Sequence, residues 1–185
     1  MKRLCGIDEA GRGPLAGPLV MAGVVLRHPI EGLTDSKKLT EKRREALYDL
    51  ITAEAEAWHV ALFDAATIDE KGLGPCLVAG LREIMARIDA DDYLFDGNTT
   101  YAIPGLRCLV KADLTIPEVS AASILAKVTR DRIMVEMAKR FPHYGFEKHK
   151  GYGTKAHTEA IRRHGLCPIH RKSFRVKSLE QPTLF

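Results

Sequence analysis

The sequence predicts an α/β domain. Short apolar runs at Leu4–Ile7, Leu19–Leu26, Trp58–Phe63, Tyr93–Phe95 and Arg107–Ala112 read as strands, and several of the stretches between them repeat apolar residues at helical spacing. Three of those runs lead into carboxylates, at Asp8-Glu9, Asp96 and Asp113. The C-terminal ends of strands in an open α/β sheet are where such folds place chemistry. If these strands lie side by side, the carboxylates converge.

The first element is a strand, a tight turn and a returning strand built around Gly6-Ile7-Asp8-Glu9-Ala10-Gly11-Arg12-Gly13-Pro14. Adjacent carboxylates at a strand end repel, and partial burial penalises their ionisation, so a cation is the usual remedy. Oxygen ligands suit Mg²⁺ or Mn²⁺. A solvated surface pair is the alternative. The neighbouring Gly11-Arg12-Gly13 points toward a ligand, since glycines admit close backbone approach and arginine offers donors to phosphate.

Thr40 is placed to cap the next helix, in which Leu47, Leu50, Ile51 and Ala55 recur at helical spacing. Before it, Ser36-Lys37-Lys38 reads equally as a solvated loop or as a phosphate contact. The third strand, Trp58–Phe63, is followed by a short helix or turn from Asp64 to Lys71, which Gly72 and Gly74-Pro75 are expected to break. Leu77, Val78, Leu81, Ile84, Met85 and Ile88 then mark a long amphipathic helix. Pro117 opens another helix, running to about Phe141, with Ala121, Ile124, Leu125, Val128, Val135 and Ala138 as its buried stripe. Its small residues Ala121, Ala122 and Ser123 permit close packing on the sheet, while Lys127 and Arg130 share another face and can reach a ligand. Pro142 stops it. Thr154 can cap a last helix that Gly165 ends.

Composition bounds what this chain can be. It has 185 residues, 45% of them apolar, enough for one domain with a sizeable core. No apolar run approaches a membrane span, and the N-terminal residues reach Asp8-Glu9 too early for a signal-peptide core. Cys5, Cys76, Cys108 and Cys167 are widely spaced, which argues against a zinc site or disulfide framework and fits a reducing cytosol. The net charge is +4, and from Lys148 to Lys177 many Lys, Arg and His stand against a single acid, Glu159. Such a segment suits a polyanion. Within it Tyr152 reads either as a base-stacking aromatic or as a tyrosine packed in a turn. The final Gln181-Pro182-Thr183-Leu184-Phe185 has no helical or strand pattern. A disordered end is the default reading, but its amide and two large apolar groups also make an anchor pattern that a partner groove would bury. The expected organisation is a domain over 1–176 and a flexible tail over 177–185.

Taken together and in order, Gly-Ile-Asp-Glu-Ala-Gly-Arg-Gly-Pro, Asp-Ser-Lys-Lys-Leu, the Asp96-Gly97 strand end, Lys-Ala-Asp followed by Val-Ser-Ala-Ala-Ser-Ile-Leu-Ala-Lys-Val-Thr-Arg-Asp, and His-Lys-Gly-Tyr-Gly-Thr resemble the type 2 ribonucleases H of bacteria. The resemblance covers about residues 2 to 174. It implies a ribonuclease H-like fold, a mixed five-stranded sheet flanked by helices with a helical basic C-terminal part. It also implies endonucleolytic hydrolysis of the RNA strand of RNA–DNA hybrids, including nicking at single ribonucleotides embedded in duplex DNA. By motif matching, Asp8, Glu9, Asp96 and Asp113 look like the acids that hold two metal ions. Gly11, Arg12 and Gly13 resemble the segment that recognises the 2′-hydroxyl, and Tyr152 matches the tyrosine that stacks at the next sugar. Ser36, Lys37, Lys38 and Lys127 are expected as substrate contacts. The tail looks like a bacterial sliding-clamp-binding peptide with Gln181, Leu184 and Phe185 as anchors, although Pro182 replaces the more usual Leu. The chain has the Gly-Arg-Gly form of type 2 and lacks the extra N-terminal domain of type 3 enzymes.

Independent of the resemblance, phosphodiester hydrolysis needs an activated water and a stabilised leaving alkoxide, which two cations held by several carboxylates provide. A non-catalytic hybrid-binding module, a resolvase or type 1 ribonuclease H, and a phosphatase are the rivals. The last is weakened because Gly-Arg-Gly-Pro lacks the P-loop lysine.

Overall fold

The structure, a computed structural model, describes residues 2–33 and 39–176. Strand β1 (Leu4–Ala10) pairs antiparallel with β2 (Leu19–Val25), which pairs antiparallel with β3 (Ala57–Phe63). On its other side β1 runs parallel to β4 (Asp92–Asp96), and β4 parallel to β5 (Leu106–Leu109). The result is the expected mixed five-stranded sheet, in the order β3-β2-β1-β4-β5. Every residue of β2 is buried, as its unbroken apolar run requires of a strand covered on both faces.

Helices cover both faces. Helix α4 (Pro117–Arg140) lies along β1 and β2, where Ala121, Ala122, Ile124 and Leu125 pack on Val20, Ala22 and Val24. Helix α1 (Glu41–Glu54) adds Leu47 and Ile51 to that layer, and Thr40 caps it by accepting from the Arg43 N–H. On the opposite face α3 (Leu73–Arg87) packs Leu77, Leu81 and Ile84 on Cys5, Ile7 and Met21. Helix α2 (Ala65–Lys71) precedes it. Two short helices, α5 (Phe146–His149) and α6 (Lys155–His164), build the C-terminal part around a third cluster that includes Met134, Tyr144, Phe146 and Ile161.

Two element boundaries differ from expectation. Gly72 ends α2 as expected, but α3 begins at once at Leu73, so Gly74-Pro75 falls in its first turn instead of between the two helices; proline's missing N–H costs no helical bond there. Strand β5 ends at Leu109, short of Ala112, because Lys111 turns left-handed (φ 59°) and a 3-10 turn spans Ala112–Leu114. Asp113 therefore projects from a turn and not from a strand.

Helix α4 can approach β1 only because residue 6 is glycine. A Cβ there would lie 2.3 Å from both the Glu118 carbonyl carbon and the Val119 nitrogen. Gly6→Ala is expected to destabilise the fold by about 1–3 kcal/mol through overpacking. Urea unfolding of the purified variant checks this.

Candidate active site

Side chains alternate along β1. Ile7 points toward α3, and Gly6 and Asp8 toward α4, where Ser123 hydrogen-bonds the Asp8 carboxylate. The neighbouring parallel strand ends in Asp96. Its carboxylate accepts from the backbone N–H groups of Lys111 and Asp113, each at 3.1 Å. That grip folds the turn after β5 back toward β4 and carries Asp113 with it. Asp8, Asp96 and Asp113 consequently offer oxygens that all lie within 4.8 Å of one another.

Burial pushes the Asp8 carboxyl well above its usual range, and the charges of Glu9 and Asp96 push it further. The backbone N–H of Glu9, 2.8 Å from Asp8 Oδ1, and the Ser123 hydroxyl pull the other way. Burial also raises Glu9, against the favourable charge of Arg12, whose Nη1 is 3.3 Å from Glu9 Oε1. Glu9 stands beside the three clustered aspartates and is not one of them. Its Oε2 is buried with no hydrogen-bond partner. Hard oxygen donors crowded until their ionisation is penalised, with one orphaned carboxylate oxygen alongside, fit divalent cations such as Mg²⁺ or Mn²⁺.

Glu9 also borders an open depression of about 310 Å³, lined further by Gly11, Arg12, Gly13, Ser123, Lys127 and Tyr152. Sequence-distant groups thus meet at one surface. Lys127 is ion-paired to Asp131 at 2.8 Å with its side chain 40% exposed, and Tyr152 is 43% exposed, not packed away in its turn. Ser36, Lys37, Lys38, Gln181, Leu184 and Phe185 lie outside the described residues.

The loop after β1 is held from beneath by two buried arginines. Arg171 donates from Nε to the Gly17 carbonyl at 2.9 Å, from Nη1 to Arg12 at 3.1 Å and from Nη2 to Gly11 at 2.5 Å. Arg130 donates to the carbonyls of Pro18, Ala16 and Lys150 at 2.8–2.9 Å, tying the loop to the segment that carries Tyr152. This corrects the expectation that Arg130 reaches a ligand: it is 1% exposed, and each of its guanidinium nitrogens donates to a backbone carbonyl. Gly11 is needed here twice. Its φ is +96°, and a Cβ would meet Arg130 Nε at 2.4 Å. Burial lowers the pKa of Arg171 to about 10, so the guanidinium stays charged at neutral pH.

Neither Arg171 nor Ser123 has a local signal in the sequence. One looks like part of a basic run and the other like a small packing residue. Arg171→Met would strand three loop carbonyls. It is expected to cost about 3 kcal/mol of stability and to weaken substrate affinity, as read by urea unfolding and by KM.

A family model described as Ribonuclease HII matches residues 5–177. The chain belongs to the ribonuclease HII family. It is 62% identical over 184 residues to the ribonuclease HII of Sulfurovum sp. (strain NBC37-1), covering 100% of this chain and 97% of that one. It is 54% identical over 181 residues to that of Aliarcobacter butzleri, covering 97% and 94%. Among solved structures it resembles that of the PCNA:RNase HII complex from Archaeoglobus fulgidus, with TM-score 0.81, 29% identity and 98% of each chain covered. The ribonuclease H2 of Pyrococcus horikoshii OT3 follows at TM-score 0.79, 28% identity and 93% of each chain. As a ribonuclease HII the chain is a metal-dependent endoribonuclease that degrades RNA in RNA–DNA hybrids.

Elsewhere on this ribonuclease HII, a larger depression of about 430 Å³ is bordered by Leu62, Ile133, Met137 and Asp64. It holds no comparable chemistry, since the Asp64 carboxylate is engaged in capping α2 through the Thr67 N–H at 2.8 Å.

Proposed function

We propose that the chain also nicks duplex DNA on the 5′ side of a single embedded ribonucleotide, by two-metal hydrolysis with Mg²⁺ or Mn²⁺, leaving a 3′-hydroxyl and a 5′-phosphate. The observation that carries this reading is the cluster of Asp8, Asp96 and Asp113 beside the depression bordered by Gly11-Arg12-Gly13 and Tyr152. Asp8, Asp96 and Asp113 would hold the cations, with Glu9 beside them as a fourth carboxylate. When bound, the cations lower the pKa of the attacking water and stabilise charge on the leaving 3′-oxygen. The loop glycines bring backbone groups to the ribose 2′-hydroxyl, the group that distinguishes RNA from DNA. Tyr152 stacks at the sugar that follows, Arg12 and Lys127 face the phosphates, and Ser36, Lys37 and Lys38 add backbone contacts. In a nick 5′ to a lone ribonucleotide the leaving 3′-oxygen belongs to a deoxynucleotide with no neighbouring 2′-hydroxyl, so water is the nucleophile and cyclic phosphates do not form.

The test is cleavage of duplex DNA carrying one ribonucleotide, beside all-DNA and long-hybrid duplexes, with each metal in turn. A metal-dependent nick 5′ to the ribonucleotide, ending in 3′-hydroxyl and 5′-phosphate, is the expected product. Cutting of long hybrids alone would defeat the roles given to Gly11, Arg12, Gly13 and Tyr152.

The proposal extends to a sliding clamp as partner, held by Gln181, Leu184 and Phe185 of the tail over 177–185. The similarity to the Archaeoglobus fulgidus ribonuclease HII, whose structure is that of a complex with PCNA, supports it. Deleting 181–185 should abolish clamp binding and leave hydrolysis intact; unchanged clamp affinity would sink the idea. A cytoplasmic site of action is part of the same reading and accords with four free cysteines. No helix among the described residues is long and apolar enough to cross a membrane.

A further inference from the structure

The C-terminal part carries an unusual buried group. His157 is 0% exposed and His170 is 2% exposed, and their Nε2 atoms face each other at 3.0 Å. The flanking bonds fix which nitrogen carries each proton. The Cys167 backbone N–H donates to His170 Nδ1 at 2.8 Å, so the proton of His170 must sit on Nε2. On the other ring, His157 Nδ1 lies 2.8 Å from the Tyr152 carbonyl oxygen, which can only accept. His157 therefore carries its proton on Nδ1 and presents a bare Nε2 to His170. A single direction of donation satisfies every group: Cys167 N–H to His170, His170 to His157, and His157 to the Tyr152 carbonyl. A proton added to either ring would set two N–H groups head to head.

The end point of this chain is the residue whose ring borders the active-site depression. The Tyr152 backbone is pinned at both ends. Its N–H donates to the His149 carbonyl at 3.0 Å, and its carbonyl accepts from the Thr154 N–H at 2.8 Å as well as from His157. His149 stacks on His157 with ring centroids 4.3 Å apart. It is itself oriented by accepting from the Gly151 N–H at 3.1 Å and donating to the Tyr144 carbonyl at 2.6 Å. The phenol ring of Tyr152 is left outward, with Arg130 Cζ 5.5 Å from its centroid.

We infer that His170 and His157 are positioning residues, a relay of fixed tautomers that sets the backbone of Tyr152 and so the angle at which its ring meets the substrate. The inference rests on the reading of Tyr152 as a substrate contact, and the experiment separates the two. Steady-state cleavage of the single-ribonucleotide duplex is measured for His157→Leu, His157→Asn, Tyr152→Ala and the Leu/Ala double variant. His157→Leu removes the donor to Tyr152 and should raise KM about fivefold, the equivalent of one hydrogen bond of about 1 kcal/mol, with kcat unchanged. His157→Asn places an amide N–H near the former Nδ1 and should restore most of that affinity. In the Tyr152→Ala background His157→Leu should add nothing, because the group it positions is gone. Independent increments in the double variant would mean that His157 merely supports the fold, and would overturn the relay. A Tyr152→Ala enzyme with unaltered KM would remove the stacking reading and the relay with it. If His157→Leu does not fold, ¹⁵N NMR of the wild-type protein at pH 7 decides independently of activity. Nδ1–H on His157 with Nε2–H on His170 is expected, and any other pair of tautomers overturns the inference.

Discussion

Asp8→Asn should lower turnover on the order of 10³-fold or more while leaving the metal-free protein more stable than the wild type. Loss of charge at the centre of the acidic group removes several kcal/mol of transition-state stabilisation that the bound cations would otherwise deliver. The gain in stability has a separate cause. Burial, Glu9 and Asp96 all make an ionised Asp8 costly in the fold, and an amide of the same shape escapes that cost. The raised folded-state pKa gives the sign. Between the unfolded carboxyl value of 3.8 and the higher folded value, the native state binds the extra proton, so stability falls as pH rises through that window and stays lower above it. Added Mg²⁺ or Mn²⁺ should reverse this in the wild type by binding the native state, and should do so much less in Asp8→Asn. Thermal unfolding at pH 7.5 with and without metal, together with single-turnover cleavage, measures both effects. A variant both inactive and less stable in the absence of metal would contradict the account. Asp113→Asn should lose activity similarly, since its oxygen belongs to the same cluster.

Acid should unfold the C-terminal part through its histidines. Burial, reinforced by the charge His157 would carry, depresses the pKa of His170 from 6.5 to about 4, and burial lowers those of His149 and His157 as well. A base with a depressed folded-state pKa stabilises the native state fully above the unfolded pKa, and that stability drains away as pH falls from 6.5 toward about 4. For the buried His170 alone the loss between pH 7.5 and pH 5 is about 2 kcal/mol, with more from its two neighbours. Asp8 and Glu9 work in the opposite direction, because their raised pKa values make the fold more stable as acid protonates them. The histidine contribution is isolated by comparing urea unfolding of the wild type and His170→Gln at both pH values. The wild type should lose the extra 2 kcal/mol or so, and the variant should not. Equal losses in the two proteins would place the acid sensitivity elsewhere.

The strands, the main helices and the three acid-bearing segments were legible in the sequence because each depends on local order. An apolar run, a capping threonine such as Thr40 or Thr154, and a proline at the first turn of α4 act over a few residues. The local signal failed at Asp113: the strand before it stops at Leu109 because Asp96, in another strand, captures the N–H groups of Lys111 and Asp113. It misled at Arg130, whose helical face suggested an outward reach, whereas each of its guanidinium nitrogens donates to a backbone carbonyl, two in the loop after β1 and one at Lys150. Arg171 and Ser123 were invisible for the same reason, since their partners lie about 160 and 115 positions away in the chain. The residue types and the order of the motifs determined the α/β class, the family and the acids able to hold metal. Tertiary structure alone decided which acids meet, with Asp8, Asp96 and Asp113 together and Glu9 beside them, and which cations face solvent. Those outcomes depend on hydrogen bonds and burial between distant segments, and such distances exist only once the chain has folded.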